Sequence, residues 1–154
     1  MAYANGQYEE NTFTPVVKAM ELSDYVFHIT DNKNKFPEYV TTVKNQQGVQ
    51  NVITELRQDS LINKVRSQAF EIYMDVFTAN EININKYPER RGVRLNKQLH
   101  AIELCNRHLA TIQLCRKTFH LSYRRIRYWG GLVIDLREII ERWHMSDKDR
   151  YKDV

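Results

Sequence analysis

Glycine, proline and cysteine are all scarce in this chain, and each scarcity narrows the fold. Five glycines and three prolines stand in 154 residues, so long stretches run without a breaker and favour helix over turn-rich β structure. There are two cysteines, Cys105 and Cys115. Placed inside one helix they would lie about 15 Å apart, too far for a disulfide. They read instead as small buried apolar groups of a reducing cytoplasm. No apolar run is long enough to predict a membrane span. The opening MAYANGQYEENTF has neither a basic n-region nor an apolar h-region, so no secretory signal is expected. Gly-rich phosphate loops, nucleophile elbows and paired-carboxylate signatures are missing too. No cofactor and no catalytic residue is therefore expected.

What the chain does have is hydrophobic periodicity. Hydrophobic residues make up 42% and charged residues 27% of the composition, which suits one soluble domain with a single core. Thr14-Pro15 signals a helix start, with Thr14 as N-cap, and the first helix is expected over 15–32. Val16, Ala19, Met20, Val26, Phe27 and Thr30 share one side of it. Residues 38–50 are polar and weakly periodic, and read as a loop or a frayed lead-in.

A second helix is expected over 51–80, with a break near residues 58–60. Its core stripe is Leu61, Val65, Ala69, Ile72, Val76 and Ala79. Phe70, Tyr73 and Phe77 form a second stripe beside it, making an apolar face wider than one neighbour covers. The third helix, over 89–118, carries Leu95, Leu99, Ile102, Leu109 and Ile112, flanked by the two cysteines. Ser122 is the expected N-cap of a fourth helix over 123–144. There Trp129, Leu136 and Trp143 recur at heptad spacing, with Leu132, Val133, Ile139 and Ile140 between them. These expectations combine into an all-α, antiparallel up-down-up-down four-helix bundle over residues 15–145. Segments 1–14 and 146–154 are expected to be disordered.

Acidic residues are nearly missing from one segment. Between Arg90 and Arg127 stand ten bases and one acid, Glu103, for a net +9, whereas the whole chain carries +4. Arg outnumbers Lys eight to two there. The first 88 residues are net −3 and the remainder net +7. A field polarised in this way selects for polyanions, of which phosphate backbones are the commonest in a cell. Arg also forks onto phosphate better than Lys. The candidate nucleic-acid-binding residues are Arg90, Arg91, Arg94, Lys97, Arg116, Lys117, Arg124, Arg125 and Arg127. Five of them crowd the corner from Arg116 to Arg127. Arg124, Arg125 and Arg127 open a helix, where the dipole favours acids; that small cost points to a ligand. Tyr123 and Tyr128 sit among them and could stack bases, although tyrosines beside a helix seam more often simply pack.

Two enzyme-like alternatives arise from the histidines. His100, Cys105, His108, Cys115 and His120 invite comparison with a zinc site, but His100 and Cys105 diverge on a helix, and Cys105 with His108 at i, i+3 would need a third and fourth ligand from elsewhere, so no metal is expected. Arg94 and His100, separated by five residues, loosely resemble the Arg-His motif of HEPN ribonucleases, in which Arg holds phosphate and His acts as general acid/base. A third alternative is an interaction module whose basic face docks on an acidic protein.

Three stretches carry a family resemblance: FEIYMDVFTAN, ERRGVRLNKQLHAIELCNRHLATIQLC and LSYRRIRYWGGLVIDLREIIERW. Over residues 60–143 they resemble the bacterial four-helix-bundle family that includes the 23S rRNA intervening-sequence proteins and the accessory variability determinant (Avd) of diversity-generating retroelements. The Gly130-Gly131 pair stands earlier than the Gly-Gly-Trp that often closes helix four in the family, and residues 38–58 look like an insertion. The resemblance implies a small basic bundle that assembles as a homopentamer. It also implies an Avd-like accessory that binds RNA or DNA, partners a reverse transcriptase and supports cDNA synthesis, with no active site of its own.

Overall fold

The computed structural model describes residues 3–4, 7–32, 35–36 and 48–153, with the side chains of 3–8 and 48–59 left aside. Four helices make up the fold: α1 (Thr14–Thr30), α2 (Gly48–Glu81), α3 (Arg91–Phe119) and α4 (Tyr123–Arg150). Two two-residue strands, β1 (Tyr3–Ala4) and β2 (Gln7–Tyr8), pair antiparallel ahead of them. This short ladder stands within a segment expected to lack order.

Cross-helix contacts fix the topology. Arg94 meets Asp147, Asn106 meets Arg137 and His108 meets Trp129. As one partner's number rises the other's falls, so α3 and α4 are antiparallel. Gln68–His108 and Asp75–His100 say the same of α2 and α3. Arg66–Thr30 joins α1 to α2, while Phe13–Trp143 and Tyr25–Tyr128 close α1 onto α4. The result is the expected four-helix bundle, each helix packed on the next and α4 returning to α1.

Local chemistry sets the helix ends, with some corrections. Thr14 is the first helical residue of α1, not its cap. The cap position is Phe13, with no side-chain cap bond, and Asn11 Oδ1 accepts from the Phe13 N–H at 2.9 Å just ahead of it. α2 runs unbroken through residues 58–60. Of the expected loop at 38–50, residues 38–47 lie outside the described residues and 48–50 open α2. Ser122 caps α4 as expected, its Oγ accepting from the Arg125 N–H at 3.2 Å.

The tail expected to be disordered from residue 146 is helical through Arg150. Asp147 is buried, and Tyr151 packs with Ile82 and Ile84 in a small second core. A polar tail docks here because one acid finds a buried partner and one ring finds a cleft.

The core stripe of α2 is buried at all six expected positions, as are Trp129, Val133, Leu136, Ile140 and Trp143 of α4. On α1, Leu22 and Ile29 join the core, whereas Met20 and Phe27 are exposed. On α3, Leu99 is 49% exposed, and Ala101, Leu104 and His108 take core places instead. Both thiols are buried and unbonded, and burial pushes each up to about 12. No helix of the described residues is long and apolar enough to cross a membrane.

Candidate nucleic-acid interface

The α3–α4 corner is built by a tight chain reversal. α3 ends with His120 in the left-handed region (φ 55°, ψ 44°). The Leu121 N–H then reaches back to the Arg116 carbonyl at 3.2 Å. This is the Schellman closure, with histidine where glycine is usual. Leu121 and Phe119 are buried, and the Phe119 ring lies 4.9 Å from that of Phe36. The corner is thus anchored from within while its polar side chains face out.

Five bases belong to this corner. Arg116 and Lys117 end α3, and Arg124, Arg125 and Arg127 begin α4. Lys117, Arg124 and Arg127 are exposed; Arg116 and Arg125 are half-buried. Among the described residues, none of the five forms an ion pair. No acid occurs in the chain between Glu103 and Asp135, and Glu103 is already engaged by Arg107 at 2.9 Å. Arg116 and Lys117 lie at the negative end of the α3 dipole, where they are favoured. Arg124 and Arg125 lie at the positive end of α4, in a first turn that holds no acid, which costs a few tenths of a kcal/mol per charge.

Aromatic rings are interleaved with these charges. The Arg116 guanidinium stacks on Tyr123 at 3.8 Å from the ring centre. Tyr128 leans on Tyr25 with centroids 5.1 Å apart. Tyr25, Ser122, Arg124, Arg125 and Tyr128 line an open hollow of about 270 Å³. Burial raises the Tyr25 phenol above its ordinary value, and the Arg125 charge opposes that rise.

The remaining predicted residues lie elsewhere. α3 has 29 residues, about 43 Å at 1.5 Å per residue, and Arg90, Arg91 and Lys97 sit at its far end. Arg90 is exposed, while Arg91 and Lys97 are half-buried. Arg94 must be withdrawn from the binding set. Its Nε donates to Asp147 Oδ2 at 2.7 Å and its Nη1 to the Ile82 carbonyl at 2.9 Å. The guanidinium also lies 5.4 Å from the Trp143 ring and 5.8 Å from that of Tyr151. Gln98 completes this group, donating to Asp147 at 2.6 Å and accepting from His144 Nδ1 at 2.9 Å. Arg94 therefore holds the α4 end in place and has no free face for phosphate.

The same placement dissolves the Arg94–His100 pair. His100 is exposed and bonded through Nδ1 to Asp75 of α2, while Arg94 points to α4. A phosphate could not touch both. The cysteines and histidines of α3 likewise diverge. Among the described residues, no three His, Cys, Asp or Glu side chains come together as metal ligands.

One histidine has a role that sequence reasoning missed. His108 is fully buried, and its bonds can be directed by elimination. The Trp129 indole only donates, so His108 Nε2 accepts at 3.1 Å. Nδ1 then carries the proton and donates to Gln68 Oε1 at 3.0 Å. Gln68 Nε2 donates in turn to Thr111 Oγ1 at 3.1 Å, and Thr111 to the Arg107 carbonyl at 3.0 Å. This chain satisfies every buried polar group it touches and keeps the imidazole neutral, with burial lowering its pKa to about 4. A histidine and a glutamine on separate helices carry no local signal of such pairing. No family model matches the chain, and neither a curated protein nor a solved structure matches it.

Proposed function

We propose that the protein is a non-enzymatic nucleic-acid-binding accessory that holds phosphate at the α3–α4 corner. The observation that carries this reading is the cluster of Arg116, Lys117, Arg124, Arg125 and Arg127, none of which forms an ion pair among the described residues and two of which are set against a helix dipole. Side chains without carboxylate partners are available to phosphates, and arginine suits them bidentately. Binding of this kind is electrostatic and largely indifferent to sequence. Arg90, Arg91 and Lys97 form a second, weaker basic region at the other end of the bundle. The resemblance to the Avd family supports a cytoplasmic helper of a retroelement reverse transcriptase, acting in cDNA synthesis. It also supports a homo-oligomer, a pentamer in that family. Met20 and Phe27 on α1 and Phe70 and Met74 on α2 are exposed, and large exposed apolar side chains suit such self-association.

The test is affinity for duplex DNA at about 50 and 200 mM salt. Five phosphate contacts give a log–log slope near −4.5, an affinity loss of about 500-fold across that range. Arg124→Glu with Arg127→Glu should flatten the slope by about 1.8 and leave helical content intact. An unchanged slope would remove the corner as the site. Absence of binding at low salt would favour an acidic protein as the partner of this face.

A further inference from the structure

We infer that the α3–α4 corner is built for single-stranded nucleic acid, with unpaired bases stacking on Tyr123 and Tyr128; this rests on the phosphate-binding reading above. A phosphate site needs only charge. This corner also carries two tyrosines that are 65% and 59% exposed, an unfavourable place for rings that serve only to pack. Neither ring is loose. Arg116 covers one face of Tyr123 at 3.8 Å. Tyr25 supports Tyr128 at 5.1 Å, and Tyr25 in turn lies 6.3 Å from the buried Trp129. Each exposed ring is thus backed by a side chain that fixes its plane and leaves another surface open.

A cation on the covered face of Tyr123 adds a further effect. Arg116 draws the ring's electron density toward the covered face, which leaves the open face less electron-rich and suited to stack against the π face of a flat base. Arg124, Arg127 and Tyr128 stand at i, i+3 and i+4 on α4, which places them on one stripe of the helix surface. A strand laid along that stripe can set its phosphates on the arginines and turn a base onto Tyr128. Aromatic platforms beside a backbone-tracking basic groove are the general means of holding single strands, because every base offers a π face. In a duplex the bases are stacked on one another and face inward, so a duplex can use only the arginines.

The experiment compares three ligands of equal length on the whole protein: a single strand, the duplex, and a strand of abasic tetrahydrofuran residues with the same phosphates. The single strand should bind more tightly than the abasic strand by roughly 5- to 150-fold for each stacked base. Tyr123→Leu with Tyr128→Leu should bring the single strand down to the abasic level while leaving duplex affinity and its salt slope unchanged. Equal affinity of wild-type protein for the single and abasic strands, with a steep salt dependence for both, would overturn the stacking inference and leave the phosphate site standing. Failure of all three ligands to bind at low salt would overturn both.

Discussion

Asp147→Ala would strip the counter-ion from a buried guanidinium, and its consequence can be worked out from the geometry. Asp147 Oδ2 receives Arg94 Nε at 2.7 Å and Gln98 Nε2 at 2.6 Å. The two charged side chains are 10% and 2% exposed, so water cannot replace the carboxylate without opening the helix end. Breaking a buried pair from one side costs about 3–5 kcal/mol. The orphaned Gln98 donor contributes to that cost, while the surviving bond to the Ile82 carbonyl moderates it. We expect a loss of about 3–5 kcal/mol in urea denaturation followed by circular dichroism. With a slope of about 2 kcal/mol/M, the midpoint falls by about 2 M. Arg94→Met combined with Asp147→Leu should recover most of the loss, because charge and counter-charge leave together. A loss under about 1 kcal/mol for Asp147→Ala alone would refute the reasoning and mean that the residues after Met145 do not dock.

Three further outcomes follow from buried groups and from one backbone angle. The folded pKa of His108 is lowered from 6.5 to about 4, so between those values the unfolded chain binds the proton and the folded chain does not. Stability should then fall by roughly 3 kcal/mol as pH drops from about 6.5 to about 4. His108→Gln should flatten the profile without abolishing its slope, because burial and Lys148 lower His144 in the same direction. Cys105 and Cys115, their thiols pushed up to about 12, should react with Ellman's reagent at pH 8 only after denaturation; fast labelling of native protein would contradict their burial. His120→Gly relieves a left-handed conformation that costs a side-chain-bearing residue about 1–2 kcal/mol. It should raise the melting temperature by about 3–6 °C in scanning calorimetry, and a lower one would show that the imidazole makes a compensating contact.

Long-period information was legible in the sequence, and pair information was not. The α2 stripe from Leu61 to Ala79 repeats often enough that no single neighbour is needed to read it, and all six positions are buried. The Ser122 cap was legible because capping is a local bond to the Arg125 N–H. Arg94 was misplaced because its partner lies 53 residues away, and nothing near it distinguishes a buried arginine from a surface one. The docked tail shares that cause, since the polarity of MSDKDRYKDV hides a single buried acid. Leu99 was misassigned to the core because its stripe continues past the arc that α2 and α4 cover. The basic corner itself was legible from charge, but the support behind its rings was not, because Tyr25 comes from α1.

The two tryptophans give the bundle a built-in pair of reporters. Trp129 donates its indole proton to His108, whereas the Trp143 Nε1 is buried without an acceptor among the described residues and its ring lies beside the Arg94 charge. Their emission should differ in wavelength and in response to acid. The stretch of α4 between them spans about 21 Å, so each samples a different end of the molecule. In Trp129→Phe and Trp143→Phe variants, fluorescence would track one end at a time. Coincident unfolding curves would show that the α3–α4 corner and the docked tail melt as one cooperative unit. Separated curves would show that the two ends open independently.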